Sequence, residues 1–118
     1  MKLGTADMHA IPSPPSDPVL KEMVRRLVER LRPDRIYLFG SRARGEAGPN
    51  SDYDLLVVVA SSDRPGYQRD QEAFRILKGL GVAKDVIVLT RDEFERKSNV
   101  VCSLAATVLR EGQLLHVA

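Results

Sequence analysis

Gly40-Ser41-Arg42-Ala43-Arg44-Gly45, a five-residue spacer, then Ser51-Asp52-Tyr53-Asp54-Leu55: this stretch decides how the rest of the chain is read. Gly40 closes the short apolar run Ile36 to Phe39, which reads as a strand, and Ser41 can cap a helix beginning at Arg42. A strand, a glycine turn and a helix start together make an anion site, because free N–H groups and the helix dipole converge on incoming negative charge. Gly40 lets a phosphate approach the backbone with no β-carbon in the way. Arg42 or Arg44 can offer a planar donor fork to phosphate oxygens.

Downstream, Asp52 and Asp54 stand two apart at the start of a strand, so their side chains leave the same face. Two carboxylates roughly 7 Å apart along a strand repel unless a positive charge sits between them. A hard divalent cation with oxygen ligands is the natural occupant, and beside phosphates that cation is usually Mg²⁺. Asp85 opens another apolar strand, Asp85 to Leu89, where a third carboxylate can close such a site. Aspartate is depleted in strands, so its place before Val-Ile-Val-Leu asks for a reason.

Outward from this stretch, the periodicity predicts alternating elements. Asp17 followed by Pro18 is a helix start, and Val19, Leu20, Met23, Val24, Leu27, Val28 and Leu31 repeat at helical spacing until Pro33. Tyr53 to Ala60 is the strongest strand, and its unbroken aliphatic run predicts helices on both sheet faces. Ser61 to Gly66 reads as loop. Ala73, Phe74, Ile76, Leu77 and Leu80 mark a helix ended by Gly79 and Gly81. Thr90 with Glu93 forms a capping box. A helical face continues through Val100, Val101, Leu104, Ala105, Val108 and Leu109 to Gly112, with a short strand at Leu114 to Val117. The expected order alternates helix and strand four times. That is an α/β or α+β domain around one small mixed sheet, spanning 17–118 behind a Pro-rich tail at 1–16.

Composition narrows the class. At 118 residues, 43% hydrophobic and 29% charged, the chain suits one globular domain. A net charge of +2 does not by itself imply a nucleic-acid or membrane partner. One cysteine excludes an internal disulfide and a Cys-based zinc site. With no apolar run long enough to span a bilayer and no signal pattern, a cytoplasmic protein is expected.

The run from Gly40 to Val58 resembles the nucleotidyltransferase signature of the DNA polymerase β superfamily: a Gly-Ser pair, a spacer, then Asp-x-Asp. It is most similar to the minimal nucleotidyltransferases of bacteria and archaea, spelled Gly-Ser-x-Ala-x-Gly and then Ser-Asp-x-Asp-Leu. Every one of those positions is met here. The resemblance implies a polymerase β-like palm, with Gly40 and Ser41 on the β- and γ-phosphates of a nucleoside triphosphate. It also implies two Mg²⁺ ions on Asp52 and Asp54, and Asp85 as the third carboxylate, assisting one metal and activating the attacking hydroxyl. The implied reaction is transfer of a nucleoside monophosphate, AMP from ATP. Larger members carry helical domains that hold the acceptor; here the acceptor is expected to arrive as a separate helical protein of the HEPN type. In the minimal members that partner is often a toxin, with the nucleotidyltransferase as antitoxin. Two rival expectations stand: a module that neutralises such a toxin by contact alone, or transfer to a nucleic acid or small molecule.

Plainer roles compete at several positions. Gly40-Ser41 alone is a common turn, and Asp52 after Pro49-Asn50-Ser51 suits one too. Asp85 can instead pair with Lys84 or a nearby Arg, and one of Arg42 and Arg44 can pair with Glu46 or face solvent. His9 and His116 are lone. Cys102 reads as a small core residue of a helix, and Arg69, Asp70, Glu72, Arg75 and Lys78 as a solvated helix face.

Overall fold

A computed structural model describes residues 16–48 and 51–118, so residues 1–15 of the tail expected at 1–16, His9 among them, and the Pro49-Asn50 turn lie outside the described residues. The elements in chain order are α1 (Pro18–Leu31), β1 (Arg35–Phe39), β2 (Tyr53–Val59), α2 (Gly66–Ile76), β3 (Lys84–Thr90), α3 (Arg91–Ser98), α4 (Leu104–Glu111) and β4 (Gln113–Val117). Local chemistry accounts for most of the boundaries. The Asp17 carboxylate accepts from the N–H groups of Val19 and Leu20, at 2.9 and 3.4 Å, and Pro18 takes the first turn. Arg32 ends α1 in the left-handed region at φ 47°, where Pro33 forbids further helix. The Thr90–Glu93 capping box forms as expected and opens α3.

The sheet order is β3-β2-β1-β4. β1 pairs antiparallel with β2 and with β4, while β2 and β3 run parallel, so the sheet is mixed. Alternation in β2 divides the core. Leu55 and Val57 face α1 and α2, packing with Met23, Leu27, Ala73 and Leu77. Leu56 and Val58 face the other layer, with Phe94 of α3 and Ala105 and Val108 of α4. Tyr37 and Phe94 stack there with ring centroids 5.7 Å apart. Each such buried aliphatic stabilises the fold by about 1.5–3 kcal/mol relative to exposure.

Three expectations change. Ser41 to Gly45 forms a turn, not a helix. The helical face expected through Val100 and Val101 is broken: α3 stops at Ser98, and α4 restarts with Ser103 capping the Ala106 N–H. Val101 is 80% exposed and Cys102 is exposed, so Cys102 is not the core residue its apolar neighbours suggested. The break lets α4 turn back toward β4. The bend between them needs Gly112, because a β-carbon there would lie 2.6 Å from the Val108 carbonyl oxygen and 3.0 Å from that of Leu38.

Candidate active site

The carboxylates meet because β2 and β3 are parallel. Asp54, the second residue of β2, stands in register with Asp85 on β3 and with Phe39 on β1. Residues paired in register project to the same sheet face, so Asp54 and Asp85 lie side by side on the face that carries α3 and α4. Asp52, two residues upstream, belongs to the same alternation. Asp54 is half-buried, whereas Asp52 and Asp85 are exposed. Burial first, then the charges of Asp85 and Asp52, push the Asp54 carboxyl above its ordinary value of 3.8. Among the described residues no Lys or Arg forms an ion pair with any of the three. The neighbouring Lys84 does not neutralise Asp85: its ammonium lies 5.0 Å from the Phe74 ring centroid and donates to the Val82 carbonyl.

The glycine turn abuts this cluster. Gly40 adopts φ +76°, and a β-carbon there would run into Asp54 Oδ2 and lie 3.2 Å from its Cγ. Any side chain at this position would displace the carboxylate, so Gly40 is required twice over. The turn folds the N–H groups of Ala43 and Arg44 back onto the Gly40 carbonyl, and that of Glu46 onto Ser41. The Ser41 and Arg42 N–H groups have no acceptor among the described residues. A tight turn with free N–H groups is a concavity suited to an anion, and it lies beside Asp54.

The two arginines of the motif are engaged elsewhere. Arg42 donates from Nε and Nη2 to the Ser51 carbonyl, at 3.0 and 2.8 Å, and its guanidinium lies 3.9 Å from the Tyr53 ring centroid. Arg44 pairs with Glu46 at 3.0 Å and more loosely with Glu111 at 3.9 Å. The donor fork expected for phosphate is therefore, at Arg42, a clasp on the loop entering β2. Tyr53 extends that clasp on the opposite face, its hydroxyl donating to Asp17 Oδ2 at 2.5 Å. Burial raises the Asp17 carboxyl, but the Tyr53 bond, the Val19 and Leu20 N–H groups and the Arg42 charge outweigh it and hold the group below 3.8. Period-two alternation already said that Tyr53 points away from its flanking carboxylates; nothing in the sequence named Asp17 as its partner.

Among the described residues no group of three or more His, Cys, Asp or Glu side chains is gathered closely enough to hold a metal ion by itself. Asp52, Asp54 and Asp85 are thus within electrostatic reach of one another without forming a closed cage. That donor set fits Mg²⁺ better than a cation needing an all-protein shell. Mg²⁺ typically takes one or two carboxylates and completes its octahedron with water and substrate phosphates. An acidic cluster without a basic partner, beside a turn with free N–H groups, is what such a ternary site requires.

Comparison with known proteins agrees with this geometry. The nucleotidyltransferase domain family matches residues 20–115. A candidate protein adenylyltransferase of Methanocaldococcus jannaschii is 33% identical over 99 residues, covering 82% of this chain and 94% of that protein. Among solved structures, a candidate nucleotidyltransferase from Sulfolobus solfataricus superposes with a TM-score of 0.58 at 26% identity, over 81% of this chain and 75% of the other. A toxin–antitoxin complex crystallised with AMP-PNP contains a chain with a TM-score of 0.52 at 25% identity, over 82% and 73%. The toxin–antitoxin complex MntA–HpeT contributes a further likeness of fold, at TM-score 0.60 and 22% identity, over 84% and 72%.

Proposed function

Because the chain belongs to the nucleotidyltransferase domain family and is a nucleotidyltransferase, we propose that it transfers AMP from ATP, with Mg²⁺, to a partner protein. The partner we propose is a helical HEPN-type toxin, which makes this chain the antitoxin of a two-protein system in the cytoplasm. The observation that carries the reading is the unneutralised pair Asp54 and Asp85, abreast across β2 and β3 with the Gly40 turn against Asp54. Further support comes from the relative named for protein adenylyltransfer and from the likeness to a toxin–antitoxin complex crystallised with a nucleotide analogue.

In this reading the Ser41 and Arg42 N–H groups bind the β- and γ-phosphates, and the Ser41 hydroxyl adds a donor. Arg42 keeps the loop before Asp52 in place through the Ser51 carbonyl. Asp52, Asp54 and Asp85 would hold Mg²⁺, which supplies charge neutralisation of the phosphates when bound. The acceptor hydroxyl oxygen attacks the α-phosphorus from the side opposite the β-phosphate. A new P–O bond forms, the bond to the bridging oxygen breaks, and pyrophosphate leaves on the Gly40 side. Asp85, the carboxylate on the outer strand of the sheet, takes the hydroxyl proton. Arg44, held to Glu46 by an exposed pair worth little, can swing to the triphosphate.

The decisive experiment is incubation with the protein encoded beside it, Mg²⁺ and ATP, followed by intact mass spectrometry. The expected result is a partner heavier by whole AMP units, with the gain lost in Asp54→Asn. A stable complex whose partner keeps its mass would overturn transfer and leave neutralisation by contact.

A further inference from the structure

We infer that the groove between α2 and the outer edge of β3 is where the acceptor polypeptide docks, as an extended segment pairing with β3 at Val86 and presenting its hydroxyl beside Asp85. This rests on the AMP-transfer reading above and names the acceptor's side of that site.

Three observations converge. The first is the order of groups across the sheet. The Gly40 turn follows β1, Asp54 lies on β2, and Asp85 lies on β3, which is the outer strand. In-line displacement sets the entering and leaving oxygens on opposite sides of phosphorus. With the leaving pyrophosphate on the β1 side, the entering hydroxyl comes over β3. What lies beyond Asp85 on that side is a groove of about 370 Å³ lined by Asp70, Gln71, Phe74, Arg75, Val86 and Ile87, with Asp85 at its rim.

The second is the state of the β3 edge. Tyr53 bonds inward to Ala83, and Val88 bonds outward to α2, so the outward-facing backbone positions of β3 are Lys84, Val86, Val88 and Thr90. The far end is closed by side chains. Val88 N–H donates to Asp70 Oδ1 at 2.8 Å, the Val88 carbonyl accepts from Arg69 Nη1 at 3.2 Å, and Thr90 N–H donates to Glu93 Oε1 at 2.9 Å. At Val86, next to Asp85, no described residue bonds the outward N–H or carbonyl. Open strand edges are ordinarily blocked. Here the block covers the half away from the carboxylates and stops short of them. An incoming strand can therefore pair at Lys84 and Val86 but no further, which sets its register. A residue paired opposite Asp85 projects to the same face as Asp85 and Asp54, where the α-phosphate would lie.

The third is the wall. Phe74, which lines the groove on the α2 side, is 51% exposed. Although Phe74 stands among the apolar positions that mark this helix in the sequence, its ring faces the groove and not the core, with the Lys84 ammonium near it. An exposed aromatic ring on a helix beside an open backbone edge suits a polypeptide, which offers both side chains and main-chain groups. The nucleobase of the donor is the competing occupant, and the test separates the two.

The probe is the protein that the wild-type chain labels with AMP in the mass-spectrometric assay. Phe74→Ala and Gln71→Arg change the groove without touching the core, since both side chains are exposed. Each is expected to raise the acceptor KM about ten-fold, with kcat at saturating acceptor and the Kd for Mg·ATP within about two-fold of wild type. Val101→Ala, in the exposed turn between α3 and α4, is expected to leave the acceptor KM unchanged. Wild-type acceptor KM in both Phe74→Ala and Gln71→Arg would overturn the docking groove and leave AMP transfer standing. A weaker Kd for Mg·ATP in Phe74→Ala would assign the groove to the nucleobase and overturn it too. Failure of the wild-type chain to label any partner would overturn the transfer reading and this one with it.

Discussion

The two ends of the β2–β3 pair treat acidic side chains in opposite ways. At the far end Glu93 is gripped by Arg69 through two bonds of 2.8 and 3.0 Å, Asp70 accepts the Val88 N–H, and Asp34 meets Arg91 at 2.6 Å. At the near end Asp54 and Asp85 stand abreast, and among the described residues no Lys or Arg forms an ion pair with either. Folding satisfies the first set and leaves the second repelling itself. The physical signatures differ in sign: the Arg69 bonds first, then the Thr90 N–H, hold Glu93 down at about 2, whereas burial and like charge push Asp54 up. Arg side chains meet the acids at the far end, and none of the described ones pairs with Asp54 or Asp85.

That contrast can be broken from either end. The largest effect belongs to Asp54→Asn, which keeps the shape and removes the charge: transfer should fall at least about a thousand-fold, measured by AMP incorporation. Next is the closed end. Glu93→Ala leaves the buried Arg69 guanidinium without its partner and should cost about 3 kcal/mol in chemical denaturation, with Mg·ATP affinity retained. The pH sign follows from the depressed Glu93 value. Its contribution is complete above the ordinary 4.5 and is lost as pH falls toward about 2, so Glu93→Gln should flatten acid destabilisation over that window.

The opposite sign is expected at the near end. Asp54 titrates above its ordinary 3.8, so its ionised form weakens the fold: stability is full below 3.8 and declines as pH rises through the raised value. Asp54→Asn should accordingly raise Tm by a few degrees at pH 7, and the gain should vanish below pH 3.8. Adding Mg²⁺ should narrow the same gap by stabilising the wild type alone. The smallest effect sharpens the comparison by showing what a surface pair is worth. Arg91→Ala removes the Asp34 bond from a side chain 57% exposed and should leave Tm nearly unchanged.

Legibility differed in the same way along the chain. Asp17-Pro18 and Thr90 with Glu93 were read correctly because a cap is a contract between residues two or three apart. The strand at Tyr53 announced itself through unbroken aliphatics, and Asp52, Asp54, Gly40 and Ser41 through spacing. The helix through Val100 was misread because its apolar residues have helical spacing but face solvent, in a turn that exists to bring α4 back to the sheet. Arg69 was misread as solvated for the complementary reason. It falls among the charged positions Asp70, Glu72, Arg75 and Lys78, and its partners, Glu93 and the Val88 carbonyl, lie 24 and 19 residues away.

By itself, then, the sequence determined the local chemistry: where helices are capped, which strands are apolar, and that a glycine turn and two aspartates fall in one spaced motif. Capping, alternation and turn formation act over a few residues and are written in their order. Only the tertiary structure decided that β2 and β3 run parallel in a register that sets Asp54 beside Asp85. It alone turned Arg42 to the Ser51 carbonyl, and closed the β3 edge with Arg69, Asp70 and Glu93 while leaving it open at Val86. Those outcomes depend on which distant segments pair when two faces of one sheet are buried together, and no local periodicity encodes that choice.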